Sequence, residues 1–211
     1  SVKSAELTKM AYNVFLGQKI IVANAIMEIS EKVGANCDDV TDALAKATDR
    51  VVSSKYMRGG GGDSGACHPR DQIALSWLAG KLKLSHDIFG DMVHTREAQT
   101  QWLAELCLSY HDHFSTPIVI LGKAYKRGTN LTIGSYATLL VSILREQNSQ
   151  VCQWDPHVDP DRTFNEPTVF LIATNHDEFY EMSYPKGSIV IDPWGKITPR
   201  YGIETVRVGR H

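Results

Sequence analysis

The run Thr116-Pro117-Ile118-Val119-Ile120-Leu121-Gly122 decides the fold, because it is the first stretch of this 211-residue chain that is typical of a buried strand. On its N-terminal side apolar residues recur at helical spacing, and helices are predicted over residues 4–33, 37–47, 73–79 and 88–110. On its C-terminal side, strands are predicted at 151–154, 168–173 and 188–191, with helices at 136–147 and 176–182. Strands that alternate with helices indicate a parallel sheet covered on both faces.

The sequence therefore predicts two architectures in succession. An all-helical domain is expected over residues 1–114 and an α/β domain with a parallel sheet over residues 115–211, with the boundary near residues 112–116. The fold class is thus α followed by α/β.

Composition excludes several classes of partner. With 22 basic and 24 acidic residues the net charge is -2, which gives no overall field for nucleic acid or an anionic membrane. No apolar run approaches the 18 or so residues that span a bilayer, so no membrane segment is expected. The four cysteines are far apart without a C-x-x-C pair or a secretory signal. These features predict a reducing compartment, with the cytoplasm as the default.

The run Gly59-Gly60-Gly61-Gly62-Asp63-Ser64-Gly65-Ala66-Cys67-His68-Pro69-Arg70-Asp71 carries the strongest chemical signal. Its glycines let the backbone adopt positive φ and approach a ligand closely, and Pro69 suits the first turn of a helix. A thiol at a helix start lies at the positive end of the helix dipole, and with Arg70 nearby this field favours the nucleophilic thiolate. We therefore predict that a flexible loop delivers Cys67 as the reactive residue. The alternative is a glycine loop with an inert, buried cysteine.

Three motifs together resemble the UDP-glucose/GDP-mannose dehydrogenase family, in its central helical domain and its C-terminal nucleotide-sugar-binding domain. They are Lys9-Met10-Ala11-Tyr12-Asn13 continuing to Asn24, the loop from Gly62 to Asp71, and Leu121-Gly122-Lys123-Ala124-Tyr125-Lys126. The segment 173–179 also resembles the strand-to-helix junction late in these enzymes. The resemblance spans nearly the whole chain, and it implies a helical central domain followed by a Rossmann-like nucleotide-sugar-binding domain.

In that family an N-terminal Rossmann domain binds NAD. This sequence has no G-x-G-x-x-G after a first strand, and the glycines 59–62 do not replace it because they precede a cysteine between helices. The first turn of the later sheet, 122–126, also lacks the glycine pattern. We therefore expect that the NAD-binding domain is absent from this chain and that the chain alone is inactive.

The resemblance also implies a reaction. Family enzymes oxidise the C6 alcohol of a UDP- or GDP-sugar to a carboxylate in two hydride transfers to NAD, and Cys67 matches the nucleophile that forms a thiohemiacetal and then a thioester. Lys9 and Asn13 match the catalytic lysine and asparagine, and their spacing of four places both on one helix face. There they would stabilise an oxyanion and place water. Asp71 matches an aspartate that orients water or Lys9, or acts as a base.

The expected substrate-binding residues are Gly62, Gly65, Arg70, Lys126 and Trp194. Lys126 matches a lysine expected near the substrate's phosphates. Two expected arginines are missing, because Ile133 and Trp194 occupy their positions, and neither side chain can make a bidentate contact with phosphate or carboxylate. Trp194 would stack on a base or sugar, or simply pack. The base and the sugar therefore stay open, as does the pathway, whether polysaccharide, glycan or specialised-metabolite synthesis.

Three other interpretations remain. A metal site would use His111-Asp112-His113 or Cys67-His68, but neighbouring residues on a helix do not converge, and no spacing resembles a zinc module, so no metal is expected. A Cys/His hydrolase or acyltransferase would explain Cys67 but not the other matches. A diverged, non-catalytic module that binds a nucleotide sugar or only oligomerises would suit the missing arginines. The long helices of the first half resemble the family's dimerisation element, which predicts a homodimer.

Overall fold

A computed structural model of the chain describes residues 2–48, 55–114, 116–147 and 150–210. The first half contains the helices α1 (Val2–Val33), α2 (Cys37–Ala45), α3 (Cys67–Leu82) and α4 (Ile88–Phe114). The second half contains β1 (Ile118–Leu121), α5 (Tyr136–Glu146), β2 (Val151–Trp154), β3 (Val169–Ile172), α6 (Glu178–Glu181), β4 (Ile189–Asp192) and β5 (Glu204–Arg207). The predicted fold class, helices followed by an α/β unit with a parallel sheet, is confirmed.

The long helices α1, α3 and α4 pack against one another, and the short α2 packs on α1. α1 closes at Gly34, whose φ of 72° lies in the left-handed region that glycine adopts readily. The side chain of Asn36 then accepts a hydrogen bond from the backbone N–H of Asp38 and so caps the start of α2. α3 starts at Cys67, earlier than the apolar run at 73–79 predicts, so Pro69 lies in its first turn as expected.

The sheet has the strand order β2-β1-β3-β4-β5, and every neighbouring pair is parallel. β1, β3 and β4 are buried along their whole length, which explains why their sequences are continuous apolar runs. β5 is missed by sequence reasoning, because Glu204-Thr205-Val206-Arg207 is an edge strand with exposed ends and no apolar run.

The core lies on both faces of this sheet, as the alternation of strands and helices predicts. Ile118 and Ile120 of β1 face a cluster that includes Leu140 of α5 and Leu103 of α4. The intervening residues of β1 face the opposite cluster, which is rich in aromatic side chains and includes Phe179 of α6. Because α4 packs on α5 and β3, the helical half rests directly on one face of the sheet.

The turn after β1 is closed by a buried carboxylate. Asp155, at the end of β2, accepts hydrogen bonds on Oδ2 from the backbone N–H groups of Lys123 (2.7 Å) and Ala124 (2.9 Å). Its Oδ1 accepts from the N–H of His157 (2.9 Å), and His176 Nε2 lies 3.3 Å from Oδ2. Burial raises the pKa of Asp155, but the hydrogen bond to His176 and those from the backbone outweigh it, so its pKa lies well below the ordinary value.

One helix satisfies membrane criteria by length and composition, which corrects the sequence expectation. Residues Thr8–Val33 of α1 have a mean hydropathy of 1.2 over their most apolar window. Such a helix is weak evidence, since core helices and signal sequences pass the same test. Here α1 packs on three other helices, and its Asn13 and Asn24 side chains hydrogen-bond to α3 and to the glycine loop. These contacts hold α1 against the helical half, while only 33% of that window is buried.

We predict that Asp155→Asn lowers the free energy of unfolding by about 2–3 kcal/mol at pH 7, because buried N–H donors lose their charged acceptor. The pKa of Asp155 is depressed in the folded state, so its stabilising effect is present above the ordinary carboxyl pKa and is lost as the pH falls below it. The difference between the variant and the parent should therefore shrink below about pH 4.

Urea unfolding at pH 7 and at pH 3 measures both effects. The exposed Asp161→Asn is the control and should stay within about 0.5 kcal/mol of the parent. If the Asp155→Asn protein were as stable as this control at pH 7, the stabilising role of the buried Asp155 carboxylate would be contradicted.

Candidate functional site

The carboxylate of Asp71 brings together the predicted polar residues of the site. Lys9 Nζ lies 3.0 Å and Asn13 Nδ2 2.7 Å from its Oδ2, while Arg70 Nε donates to its Oδ1 at 2.8 Å. The Asp71 side chain is only 5% exposed, whereas those of Lys9 and Arg70 are more than half exposed. The four-residue spacing on α1 therefore does place Lys9 and Asn13 on one face, and that face meets α3 at Asp71, just after its first turn.

The same contacts decide the ionisation of Asp71. Burial raises the pKa of this carboxyl, but the hydrogen bonds from Arg70, Asn13 and Lys9 prevail and hold its pKa well below the ordinary value. Asp71 in turn raises the pKa of the Arg70 guanidinium, and Cys67 adds to that effect. Asp71 is thus a permanently charged acceptor, which suits it to orienting Lys9 better than to taking up a proton.

Cys67 is the first residue of α3 and its side chain is exposed. Cys37 and Cys107 are buried, and burial raises the pKa of both thiols, that of Cys107 to about 12. Cys152 is half-buried on β2. Cys67 is therefore the most accessible of the four thiols, as a reactive residue requires.

The glycine loop that leads to Cys67 is packed rather than flexible. A Cβ on Gly60 would lie 2.5 Å from the Trp194 ring, and one on Gly61 would lie 2.3 Å from the Tyr136 hydroxyl. A Cβ on Gly62 would lie 2.8 Å from the Tyr136 ring. Within the run 59–65 only Gly65 has a positive φ, of 101°. The glycines thus allow a close approach, but the approaching groups are side chains of the sheet half.

Polar contacts fix the same loop from two further sides. Asn24 of α1 donates to the carbonyl of Gly61 (3.2 Å) and accepts from the N–H of Gly60 (3.1 Å). The buried guanidinium of Arg210 donates to the carbonyl of Gly59 (3.2 Å) and to both carboxylate oxygens of Asp38. Arg210 is missed by sequence reasoning, because no local pattern links residue 210 to a loop 150 residues earlier.

The loop after β1 borders the cysteine loop. The N–H of Gly65 donates to the carbonyl of Gly134 (2.9 Å), and a Cβ on Gly134 would lie 2.5 Å from the backbone N of Ala66. The Tyr125 ring covers Gly65, and the exposed Lys126 ammonium lies 5.3 Å from the centre of that ring. Lys126 is thereby carried to the same side of the molecule as the cysteine loop.

The two positions that lack arginine differ in environment. Ile133 is 76% exposed beside Gly134. Trp194 is half-buried, lies on Gly60 and donates its indole N–H to the carbonyl of Ile172 (3.2 Å). Trp194 is therefore engaged in packing between the two halves, and its substrate role, like that of Gly62, Gly65, Arg70 and Lys126, stays a prediction.

A second group of polar side chains lies at the carboxyl end of the sheet. His157, His176 and Glu178 offer ligand atoms within 4.8 Å of one another, a cluster that sequence reasoning misses. However, His176 Nδ1 accepts from the N–H of Gly128 (3.1 Å) and its Nε2 lies against Asp155, so both ring nitrogens are engaged. His157 and Glu178 form an ion pair at 3.0 Å. Two remaining ligands are too few for a metal centre.

Much of the chain is similar to known proteins. Residues 3–97 match the sequence model of the UDP-glucose/GDP-mannose dehydrogenase family, central domain. The UDP-glucose 6-dehydrogenase TuaD of Bacillus subtilis is 29% identical over 162 residues, which cover 76% of this chain and 35% of that protein. The UDP-glucose 6-dehydrogenase of Rhizobium meliloti is 27% identical over 205 residues, which cover 87% of this chain and 46% of that protein.

Solved structures share the fold of almost the whole chain. A UDP-D-ManNAc dehydrogenase from Pyrococcus horikoshii aligns with a TM-score of 0.80 at 25% identity, over 98% of this chain and 52% of that one. A UDP-glucose dehydrogenase from Pyrobaculum islandicum aligns with a TM-score of 0.81 at 22% identity, over 99% of this chain and 51% of that one. The chain thus spans about half the length, or less, of the relatives it matches.

We predict that iodoacetamide modifies Cys67 of the folded chain at least about 10²-fold faster than Cys107, because only the exposed thiol is accessible and burial holds the other protonated. Peptide mass spectrometry after timed alkylation at pH 7.5 measures the rates at each cysteine. Cys37 serves as a second buried reference. If Cys67 and Cys107 were labelled at equal rates in a protein whose circular dichroism spectrum shows that it is folded, the exposure of Cys67 and the burial of Cys107 would be contradicted.

Proposed function

We propose, on the premise that this chain is related to the UDP-glucose/GDP-mannose dehydrogenase family, that it is the C-terminal part of an NAD-dependent nucleotide-sugar 6-dehydrogenase. The reaction would convert the C6 alcohol of a UDP- or GDP-sugar to a carboxylate. The observation that carries the proposal is the convergence of Lys9, Asn13 and Asp71 at the helix start that bears the exposed Cys67. Because the chain covers only part of its relatives, the chain alone should be inactive.

Cys67 is the proposed nucleophile. Its thiolate would add to the C6 aldehyde formed by the first oxidation and give a thiohemiacetal, whose oxidation leaves a thioester. Water would then attack the thioester carbonyl, release the carboxylate and return the thiol. The start of α3 favours this chemistry, because an exposed sulfur at a helix N-terminus lies at the positive end of the dipole.

Lys9 and Asn13 are proposed to stabilise the oxyanion that forms in each addition. Both donors are held by one carboxylate oxygen of Asp71, so their positions are fixed before a substrate arrives. The Lys9 side chain is 58% exposed, so it can also contact a ligand. Asp71 itself positions these donors and stays ionised, because three donors hold its charge.

NAD does not fit the first turn of this sheet. A nucleotide-binding turn of this type offers free backbone N–H groups to a pyrophosphate, whereas here the N–H groups of Lys123 and Ala124 donate to Asp155. The protein's own carboxylate occupies the place of an anion. We therefore propose that NAD, which accepts the hydrides, is held mainly by a domain outside this chain.

The proposed substrate site lies between the cysteine loop and the loop after β1. Lys126 would meet a phosphate, and Gly62, Gly65, Arg70 and Trp194 would border the sugar. A second candidate function is a diverged, non-catalytic module that binds a nucleotide sugar or only oligomerises. It is favoured by Ile133, an exposed apolar residue at a position where a cation is expected, and by the engaged indole N–H of Trp194.

A homodimer through the helical half is also proposed. Phe15, Val22 and Ile29 of α1 are exposed at a seven-residue spacing, which forms an apolar seam of the kind that pairs helices. Beside it lies an apolar groove of about 420 Å³ between α1, α3 and the start of α4, with Leu75 and Ala79 among its lining residues. We propose neither a nucleic-acid partner nor a membrane partner. The free thiols of the four cysteines support a cytoplasmic location.

For the full-length enzyme that contains this chain, we predict two NADH per nucleotide sugar consumed. Cys67→Ser should stop carboxylate formation, because the hydroxyl cannot form the thioester, and the rate should fall by at least about 10³-fold. NADH absorbance with UDP- and GDP-sugars, combined with chromatography of the sugar acid, measures both. Cys152→Ser is the matched control and should keep the parental rate. A Cys67→Ser enzyme that still makes acid at that rate would exclude the mechanism.

We predict that Val22→Asp shifts the chain from dimer to monomer at micromolar concentration, because a charge in the apolar seam would be buried without a partner. Light scattering coupled to size-exclusion chromatography measures the mass. Tyr201→Asp, at a residue that is 94% exposed on the sheet half, is the control and should leave the mass unchanged. A parent protein that is already monomeric would contradict the proposed interface.

A further inference from the structure

His176 is completely buried, yet both nitrogens of its ring are engaged in hydrogen bonds. The N–H of Gly128 donates to Nδ1 at 3.1 Å, so Nδ1 is an acceptor and carries no proton. The proton of the neutral ring is therefore on Nε2, which lies 3.3 Å from Oδ2 of Asp155. His176 thus links the end of β2 to the loop that follows β1.

Aromatic neighbours hold the ring of His176 in place. The ring centroid of His157 lies 4.4 Å from that of His176, and the Phe179 ring meets it edge-to-face at 5.5 Å. Asp155, the partner of Nε2, is itself fixed by the two backbone N–H groups that close the turn after β1. Nδ1 of His176 is therefore an acceptor of fixed position.

This acceptor meets the tip of an exposed loop. Residues 125–131, the Lys126 loop, are closed at their base by a hydrogen bond from the N–H of Tyr125 to the carbonyl of Leu131 (2.9 Å). Beyond that bond, residues 126–128 are all exposed. Packing therefore does not fix the tip of the loop, and its position depends on hydrogen bonds and ion pairs to the rest of the protein.

In the described part of the chain, two side chains outside the loop bind this tip. Asp177 pairs with Arg127, but both side chains are more than half exposed, and such pairs contribute little in water. The other is His176, which accepts from Gly128, two residues after Lys126, where a φ of 66° turns the chain. Because its acceptor is buried and fixed, this hydrogen bond is the stronger constraint on the tip.

We propose that His176 is a positioning residue for substrate binding, which holds the Lys126 loop through Gly128 so that the Lys126 ammonium meets the substrate's phosphate. This role rests on the function proposed above, since it needs that phosphate contact. Within the described residues, His176 makes no hydrogen bond to Cys67 or to the polar side chains around Asp71. Its effect therefore falls on binding and not on the chemistry at Cys67.

The test uses the full-length enzyme and two substitutions that separate the two hydrogen bonds of His176. In His176→Asn the amide oxygen takes the place of Nδ1 and still accepts from Gly128. In His176→Gln the longer side chain places its amide where Nε2 was, so it donates to Asp155 but leaves Gly128 without its acceptor. His176→Asn is therefore the matched control for His176→Gln.

We expect His176→Gln to raise KM for the UDP- or GDP-sugar by at least about 10-fold and to change kcat by less than about threefold, because only uniform binding is lost. His176→Asn should keep both values within about threefold of the parent. Hydrogen exchange measured by mass spectrometry should be faster in the Lys126 loop of His176→Gln alone. Equal KM values of the two variants, or unchanged exchange in His176→Gln, would overturn the role.

A double-mutant cycle separates positioning from a general loss of structure. Lys126→Ala alone should raise KM, and adding His176→Gln to it should raise KM by less than about twofold more, because the group that His176 positions is gone. A full further increase would overturn the positioning role, and so would a His176→Gln protein that circular dichroism shows to be unfolded, since His176 would then act in folding. An unchanged KM in Lys126→Ala would instead overturn the proposed phosphate contact, so the two failures are distinguishable.

Discussion

The arrangement of the whole site depends on the absence of side chains at Gly59 to Gly62. Trp194 lies on Gly60 and Tyr136 lies on Gly61 and Gly62, at distances where a Cβ would overlap their rings, and a Cβ on Gly59 would overlap Met27 of α1. The same segment is hydrogen-bonded to Asn24 on one side and to Arg210 on the other. Since Cys67 follows only a few residues later, its position is set by packing between the two halves rather than by its own helix alone.

Two buried carboxylates near Cys67 have different environments and therefore different chemistry. Asp71 is surrounded by donors, two of them cationic, and behaves as a fixed negative charge that holds Lys9 and Asn13. Asp63 lies 2.6 Å from His68 Nδ1 and 3.4 Å from Gln72 Nε2, and its side chain is completely buried. Asp71 is therefore held by cationic groups beside solvent, whereas Asp63 is enclosed under the loop, so neither carboxylate could replace the other.

Much of this could be predicted from the sequence, and the reasons for success and failure are physical. The buried strands β1, β3 and β4 are continuous apolar runs, so their periodicity is visible, whereas β5 is an exposed edge and carries no such signal. The contacts of Lys9 and Asn13 with Asp71 follow from helical spacing and the family resemblance. The contact of Arg210 with Gly59 could not be predicted, because it joins residues 151 positions apart. The prediction that the glycine loop is flexible was wrong for a related reason. Glycine allows both mobility and close packing, and only the aromatic rings that lie on the loop show which of the two applies.

The clamp formed by Arg210 has a consequence for the order of folding. The Arg210 guanidinium binds Gly59 and Asp38, and the N–H of Gly209 donates to Glu31. Arg210 and Gly209 are synthesised more than 150 residues after the segments that they hold. On a ribosome the helical half therefore emerges with its cysteine loop still unsupported. Contacts between residues so far apart in sequence form late, because the chain must first lose the entropy of closing the long loop between them. The loop that leads to Cys67 therefore acquires its final contacts only after the segment that contains Arg210 has been synthesised.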